Sequence, residues 1–247
     1  MAKSYLRIKK IFIKSYIQMA KDETGNLRHE IKFSSELEDY EIESIIKNHP
    51  AMFFETFYQR QVNNIYLDSV CLENYDNHVS GVCRRFKIRI RWYGKLIGFI
   101  KKPELEIKIK NDKEGKKLSF PLKPFVLDKN FSSKYLEKDI FAKSKLPKWL
   151  IEQLKFCFPV LANSFKRKYF LSADKKYRLT LDTDLEFFKI ENKNNLFLEK
   201  IKQDNFNILE LKYSPSDYKS ANCITEHLPF RLTAFSKYVS GINVLEV

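Results

Sequence analysis

Glycine and proline are scarce in this chain, at 6 and 8 of its 247 residues. Such low numbers exclude collagen-like repeats and long Gly- or Pro-rich segments of low complexity. The four cysteines, Cys71, Cys83, Cys157 and Cys223, show no Cys-x-x-Cys spacing, and the four histidines are scattered. The sequence therefore gives little support to a zinc site or a disulfide scaffold, and we expect reduced thiols in or near a core.

Long apolar runs are also missing. No uninterrupted apolar stretch approaches the roughly 20 residues that a membrane-spanning helix needs. The N-terminus does not resemble a secretory signal, because Lys9, Lys10 and Lys14 interrupt the segment from Ile8 to Ala20. We therefore expect a soluble, cytoplasmic protein without a transmembrane segment.

Positive charge and aromatic residues are abundant. Lys and Arg total 45 against 31 Asp and Glu, which gives a formal charge of +14 at pH 7. The 21 Phe and 13 Tyr can fill the core of one large domain. A positive excess of this size predicts a polyanionic partner, and charge alone leaves nucleic acid, an anionic membrane and a phosphate compound open.

Two regions are distinguished along the chain. Residues 1–27 form a basic extension, in which Ile8, Ile11 and Phe12 could line one face of a helix. Such a helix could contact a membrane surface or dock on the rest of the chain, so the extension stays unassigned. Residues 28–247 are interpreted as one domain, because no linker or internal repeat interrupts them.

Short alternating segments predict most of the secondary structure of this domain. Strands are predicted at 28–33, 65–69, 84–92, 104–110, 165–171, 177–182 and 208–213. A capping box at Ser35 and Glu38 predicts a helix over 35–49. A mostly helical region is predicted over 134–158, with Pro147 beginning a second helix, and a helix-like pattern follows residue 229.

Alternate residues of the predicted strands carry ionic side chains, and the residues between them are mostly apolar. The ionic faces contain Arg28, Glu30 and Lys32; Arg85, Lys87, Arg89 and Arg91; Glu104, Glu106, Lys108 and Lys110; Arg178, Thr180 and Asp182; and Glu210 and Lys212. An ordinary sheet with one wet face explains any single strand. Four cations on one face of one strand would repel each other unless an anion lay among them. We therefore predict an α+β fold with a closed antiparallel β-barrel, a tunnel whose lumen is charged and whose outer face is covered by helices.

Specific nucleic-acid binding is not predicted. The sequence contains no zinc finger, RNA-recognition signature or helix-turn-helix, and the basic residues lie on strands rather than along an exposed helix.

Eight short segments follow one another in a specific order: RHEIKF at 28–33, IYLD at 65–68, KIRIR at 87–91, LEIK at 105–108, RKY at 167–169, RLTLD at 178–182, LELK at 209–212 and SKY at 236–238. This ordered series resembles the VTC domain, the polyphosphate polymerase branch of the CYTH, or triphosphate tunnel metalloenzyme, superfamily. The resemblance runs from about residue 28 to about residue 240. It implies a tunnel that binds ATP and polyphosphate together with Mn²⁺ or Mg²⁺.

The resemblance also implies roles for individual residues. The residues expected to act in catalysis are Lys32, Arg89, Arg91, Arg178 and Lys212. The further residues expected to bind phosphate are Arg28, Lys87, Lys108, Arg167, Ser236 and Lys237. The expected metal ligands are Glu210, Glu30 and Glu106. Hydrolytic members of the superfamily open with Glu-x-Glu-x-Lys, and Arg28 here replaces the first Glu.

The expected activity is that of a metal-dependent phosphotransferase, a polyphosphate polymerase that uses ATP. Such a reaction requires alignment and charge stabilisation rather than a covalent nucleophile. Two alternatives stay open: a metal-dependent triphosphatase or nucleoside triphosphate hydrolase on the same fold, and a polyanion-binding module without activity. The sequence does not determine the oligomeric state.

Overall fold

The computed structural model describes residues 28–111, 114–191, 195, 197, 200–203 and 206–247. The strands are β1 (His29–Ser35), β2 (Phe54–Asp68), β3 (Arg84–Tyr93), β4 (Gly98–Ile100), β5 (Glu104–Asn111), β6 (Glu114–Pro121), β7 (Phe125–Leu127), β8 (Phe158–Leu171), β9 (Arg178–Lys189), β10 (Lys200–Gln203), β11 (Asn207–Tyr213) and β12 (Arg231–Leu232). The α-helices are α1 (Asp39–Lys47), α2 (Glu73–Val79), α3 (Ser133–Tyr135), α4 (Lys148–Leu154), α5 (Tyr218–Thr225) and α6 (Lys237–Leu245). The N-terminal extension, residues 1–27, and the two roles considered for it lie outside the described residues.

Ten strands form one antiparallel sheet, which confirms the predicted α+β class. Their order is β12-β1-β11-β9-β8-β2-β3-β5-β6, with β10 paired to β9, while β4 and β7 form a separate two-stranded ribbon. The strands β2 and β8 are longer than predicted, because the polar residues in them concealed the alternation. In the structure, the buried Asn64 side chain donates to Asn163 Oδ1 on β8 at 2.7 Å and accepts from Arg91 Nε on β3 at 2.8 Å, so its amide is satisfied by both neighbouring strands.

The predicted closure of the barrel is not confirmed. The sheet ends at β12 and β6, and no strand pairing joins these two edges among the described residues. The sheet nevertheless curves strongly. In a flat sheet, β1 and β3 would lie about 24 Å apart, five spacings of 4.8 Å. Lys32 on β1 and Lys87 on β3 nevertheless contact the consecutive residues Phe235 and Ser236, at 3.5 Å and 2.7 Å, so the two strands face each other. We call the concave face of this curved sheet the trough.

The predicted alternation of ionic and apolar faces is confirmed. On β3, Phe86, Ile88, Ile90 and Trp92 are buried in the largest hydrophobic cluster, while the side chains between them line the trough. The outer face is covered as expected. Residues of α1 pack with β1, β9 and β11, and the helical region 133–154 packs against β3 and β5.

The boundaries of two predicted helical regions are corrected. Helix α1 begins at Asp39 rather than near Ser35, and Glu41 Oε2 accepts a hydrogen bond from the Glu38 backbone at 3.0 Å. The region 134–158 is divided, because α3 continues as a π-helix at Leu136–Phe141 and then stops. Pro147 begins a fresh helix, α4, as predicted.

Helix α6 fills one end of the trough. Its residues Tyr238, Ile242 and Leu245 pack in a cluster with side chains of β2, β8 and β9. The Tyr238 hydroxyl also donates to buried Asp68 at the end of β2.

The helix-like pattern predicted from residue 229 is confirmed only in its last part, because Arg231–Leu232 forms β12 and the helix begins at Lys237, after the cap at Ser236. Its position inside the concave face was not predicted. This helix plugs one end of the trough. At the opposite end Tyr93 on β3 and Arg178 on β9 are exposed, and we call this the open end.

Among the described residues, no helix combines the length and apolarity that a bilayer crossing requires.

Candidate functional site

Most of the predicted phosphate-binding cations converge in the trough. Those brought into mutual electrostatic range are Lys32, Lys87, Arg89, Arg91, Lys108, Arg167, Lys212 and Lys237. They come from β1, β3, β5, β8, β11 and the first residue of α6. Positive side chains therefore approach the same space from several directions.

Three of the trough lysines have a lowered pKa. Burial, followed by the charges of Lys32 and Lys108, lowers the pKa of Lys87 to about 7. Burial lowers the pKa of Lys108 to about 8, although Glu210 opposes this effect. The pKa of Lys237 is also lowered by burial to about 8, against the opposing charge of Asp182. A bound polyanion would favour the protonated forms of all three lysines.

Asp182 organises the cations of β8 and α6. Arg167 donates from Nε to Oδ1 at 2.5 Å and from Nη2 to Oδ2 at 2.7 Å, and Lys237 Nζ donates to Oδ2 at 2.6 Å. Burial raises the pKa of Asp182, but Arg167 and Lys237 outweigh it and hold that pKa at about 2. Asp182 was not among the predicted site residues. Its position on the ionic face of β9, beside Thr180, was the available signal.

Glu106 has a similar role on β5. Its Oε2 accepts two hydrogen bonds from Arg89, at 2.8 Å from Nε and 2.6 Å from Nη2, and its Oε1 accepts one from Lys117 at 2.9 Å. Arg89 and Arg91 outweigh burial and hold the pKa of Glu106 far below its usual range. Both carboxylate oxygens are therefore engaged by cations, so a metal at Glu106 would have to displace them. Lys117 lies on β6, a strand that the sequence analysis missed.

Glu210 and Glu30 lie on either side of Lys32. The Lys32 Nζ atom is 3.0 Å from Glu30 Oε1 and 4.0 Å from Glu210 Oε2, and Lys212 forms an ion pair with Glu210. The register explains this arrangement, because Lys32 is opposite Glu210 and Glu30 is opposite Lys212. Burial raises the pKa of Glu210, but Lys212 and Lys32 outweigh it and hold that pKa well below its usual range.

A metal site built from protein ligands alone is not found in the described part of the chain, where no three His, Cys, Asp or Glu side chains cluster suitably. Glu210 and Glu30 offer two carboxylates from neighbouring strands. A divalent cation there would need further oxygen ligands, which the phosphates of a substrate can provide.

Ser236 connects α6 to β3. Its Oγ accepts from the backbone of Val239 at 3.4 Å, which caps the helix, and from Lys87 Nζ at 2.7 Å. Lys32 Nζ lies 3.5 Å from the carbonyl oxygen of Phe235. The N-terminal end of α6 is therefore held among the trough lysines.

Arg28 and Arg178 lie away from this centre. Arg28 is exposed just before β1, and Arg178 is exposed at the first position of β9. Arg178 is opposite Lys212 in the sheet, which places it at the open end of the trough. Their predicted roles stay predictions.

Asn64 is another site residue that the sequence analysis missed. Its Oδ1 accepts from Arg91 Nε at 2.8 Å. It lies on β2 just before the segment that was recognised as a strand, so its face could not be assigned from the sequence.

Two solved structures are similar to this chain. PH1819 from Pyrococcus horikoshii OT3 is a similar solved structure, with a TM-score of 0.45 and 16% identity over 89% of this chain and 99% of that one. A protein from Vibrio parahaemolyticus, proposed to be an adenylate cyclase, has a TM-score of 0.49 and 8% identity over 91% of this chain and 100% of that one. No curated protein sequence matches.

The family of the chain is identified by a match to a family model. The model of the VTC domain matches residues 9–246, which is nearly the whole sequence. The match includes each of the eight segments noted in the sequence and extends further towards the N-terminus than they do. The chain therefore belongs to the VTC domain family.

Proposed function

We propose that this protein is a polyphosphate polymerase, which transfers the terminal phosphate of ATP onto a polyphosphate chain held in the trough. The observation that carries the proposal is the convergence of trough cations from different strands on one concave surface. Three of the lysines have a lowered pKa, as expected for a site shaped to receive negative charge. Membership of the VTC family supports the same substrate class.

The arginines would hold and orient the reacting phosphates. Glu106 fixes Arg89, while Asn64 accepts from Nε of Arg91 and so orients its guanidinium plane. Asp182 fixes Arg167 through two parallel hydrogen bonds. Guanidinium groups held in this way can stabilise the charge that spreads over the transferred phosphoryl group without reorganising during the reaction.

The reaction requires no protein nucleophile. A terminal oxygen of the polyphosphate chain attacks the γ-phosphorus of ATP, a new P–O bond forms, and the bond to the β,γ-bridging oxygen breaks to release ADP. The attacking oxygen is already ionised, so no general base is needed. Asp182 and Glu106, with their low pKa values, serve to position cations.

A divalent cation, Mn²⁺ or Mg²⁺, would neutralise charge between phosphate oxygens when bound. Glu210 is the favoured ligand, with Glu30 beside it. Glu106 is the weaker candidate, because Arg89 and Lys117 already engage both of its oxygens.

The experiment is incubation of the protein with ATP and Mn²⁺, followed by separation of the products on a gel. Long polymer supports the proposal. Orthophosphate as the sole product would instead indicate a triphosphatase or nucleotide hydrolase, and unconsumed ATP would indicate a binding module.

Two variants sharpen this test. Arg91→Gln should reduce polymer formation about 100-fold, the effect of removing one charge-stabilising donor. It should not unfold the protein, because burial and Arg89 already disfavour the charge of Arg91 and lower its pKa to about 10. Arg231→Gln removes an exposed arginine of β12 and is the matched control, with unchanged activity. Equal activity in both variants would exclude the trough as the site.

A further inference from the structure

Aromatic side chains surround an arginine at the open end of the trough. The guanidinium carbon of Arg60 lies 4.8 Å from the ring centre of Phe57, 5.5 Å from Tyr58, 5.7 Å from Tyr93 and 5.4 Å from Tyr169. We call these five residues the aromatic rim. The predicted site contained none of them.

An irregularity in β2 assembles the rim. The register of β2 against β8 shifts between Phe57 and Arg60, so that Phe57 is opposite Tyr169 while Arg60 is opposite Arg167. Such bulges redirect side chains and are common beside functional sites. Tyr93 arrives from β3, where it follows Arg91 on the same face at a distance of roughly 7 Å along the strand.

The rim is continuous with the phosphate-binding cations. Arg60 and Arg167 are direct neighbours across the β2–β8 pair. Burial raises the pKa of Tyr169, and Arg167, Arg60 and Arg91 all act against that rise. A ligand with phosphates on Arg91 and Arg167 would therefore extend its next chemical group over the rim.

A purely structural cluster would bury its rings, and this one does not. Phe57, Tyr58 and Tyr93 are 54%, 78% and 52% exposed. Arg60 has no carboxylate within 4.0 Å among the described residues, and its buried Nε has no hydrogen-bond acceptor there. The rim thus presents flat surfaces and an uncompensated cation at the mouth of an anion-binding trough.

We propose that the aromatic rim binds the nucleobase of the nucleoside triphosphate whose phosphates lie on Arg91 and Arg167. This inference rests on the proposed function, since it assigns a place to the nucleoside part of the same substrate. Bases stack on aromatic rings and on guanidinium planes through their π-faces, which every base possesses. The rim therefore distinguishes nucleotides from inorganic polyphosphate and accepts any of the common bases.

The test compares the dissociation constants of ATP and inorganic tripolyphosphate by calorimetry, without divalent metal so that no turnover occurs. Tyr93→Ala and Tyr58→Ala should each weaken ATP about ten-fold, as expected for the loss of one stacking ring, and leave tripolyphosphate within about two-fold. Tyr93→Phe keeps the ring and should bind ATP like the unmodified protein. Phe99→Ala removes a 69% exposed ring on β4, outside the large sheet, and should change neither constant.

Two results would overturn the nucleobase site. One is an equal loss of ATP and tripolyphosphate affinity in Tyr93→Ala, which would mean that the ring only supports the trough. The other is an unchanged ATP affinity in both alanine variants.

Failure of the proposed function would look different: ATP and Mn²⁺ would give no polymer on the gel, and in the extreme case the unmodified protein would bind neither ATP nor tripolyphosphate. Base stacking on the rim would then be tested by the fluorescence of 2-aminopurine riboside monophosphate, which stacking quenches. Quenching that Tyr93→Ala abolishes would support the rim, and unquenched fluorescence would refute it.

Discussion

Asp182 is buried between two cations, and its side chain is only 2% exposed. Asp182→Asn would leave Arg167 and Lys237 without their counter-ion in a buried place. We expect the free energy of unfolding to fall by about 3 kcal/mol or more, the usual cost of breaking a buried ion pair from one side. Urea titration of the unliganded protein measures the change.

Asp184 provides the matched control for this prediction. It lies two residues further along β9 and pairs with Lys166 at 2.7 Å and Lys202 at 3.6 Å, but it is 42% exposed. Asp184→Asn should cost less than about 1 kcal/mol. Similar losses in the two variants would contradict the organising role of Asp182.

Lys87 makes the stability of the unliganded protein depend on pH. An unfolded lysine keeps its proton up to about pH 10.5, whereas folded Lys87 loses it near pH 7. Between these values the unfolded chain binds more protons, so the contribution of Lys87 to folding becomes more favourable as the pH rises. Lys87→Met removes this dependence. It should therefore be most stabilising, relative to the unmodified protein, at pH 6–7, with the difference shrinking towards pH 10.

The measurement is the difference in free energy of unfolding between Lys87→Met and the unmodified protein at several pH values. Lys47→Met is the control, since Lys47 is 54% exposed at the end of α1 and its replacement should give a small difference at each pH. A Lys87→Met difference that does not change with pH would show that the Lys87 ammonium is not buried as described.

At the scale of elements, α6 depends on a glycine for its approach to the sheet. A Cβ atom at Gly241 would lie 2.7 Å from Phe187 Cδ1 and 2.9 Å from Leu161 Cδ2. Alanine normally favours a helix over glycine by about 1 kcal/mol, but overpacking costs about 1–3 kcal/mol. Gly241→Ala should therefore lower the melting temperature and loosen the helix that plugs the trough.

Gly115→Ala is the corresponding control. The nearest atom to a Cβ there is the carbonyl oxygen of Ile109, at 3.9 Å, so the methyl group fits without displacement. A higher melting temperature for Gly241→Ala than for Gly115→Ala would contradict the close contact between α6 and Phe187.

At the scale of the whole molecule, the formal charge of +14 is concentrated partly on one concave surface. A polyanion that binds this surface in the folded protein alone must raise the stability of the fold. Inorganic tripolyphosphate at 100 times its dissociation constant should add about 2.7 kcal/mol to the free energy of unfolding. The readout is the melting temperature with increasing tripolyphosphate.

Sodium chloride at matched ionic strength is the control for general screening, and Arg91→Gln is the control for the site. Both should show a smaller rise in melting temperature. An equal rise with chloride would mean that the ligand acts by screening the whole surface rather than by occupying the trough.

The amino-acid sequence was sufficient to predict which side of each strand is ionic. On β3, Arg89 and Ile90 face opposite ways because neighbouring side chains alternate along any strand, which is a local property of the backbone. The resemblance to the VTC domain, rather than the alternation, then indicated which of these cations are expected to bind phosphate. The part of β2 before Ile65 could not be predicted, because the side-chain amide of Asn64 is satisfied only by residues of the neighbouring strands.

Which charged side chains contact each other depends on the three-dimensional fold. Lys87 and Ser236 are separated by 149 positions and touch only because the sheet curves and α6 enters its concave side. Asp182 could be placed on an ionic face from the sequence, but its partners Arg167 and Lys237 come from another strand and a helix. The sequence also could not predict that β12 and β6 stay unpaired, since curvature and closure depend on how all ten strands pack and twist together.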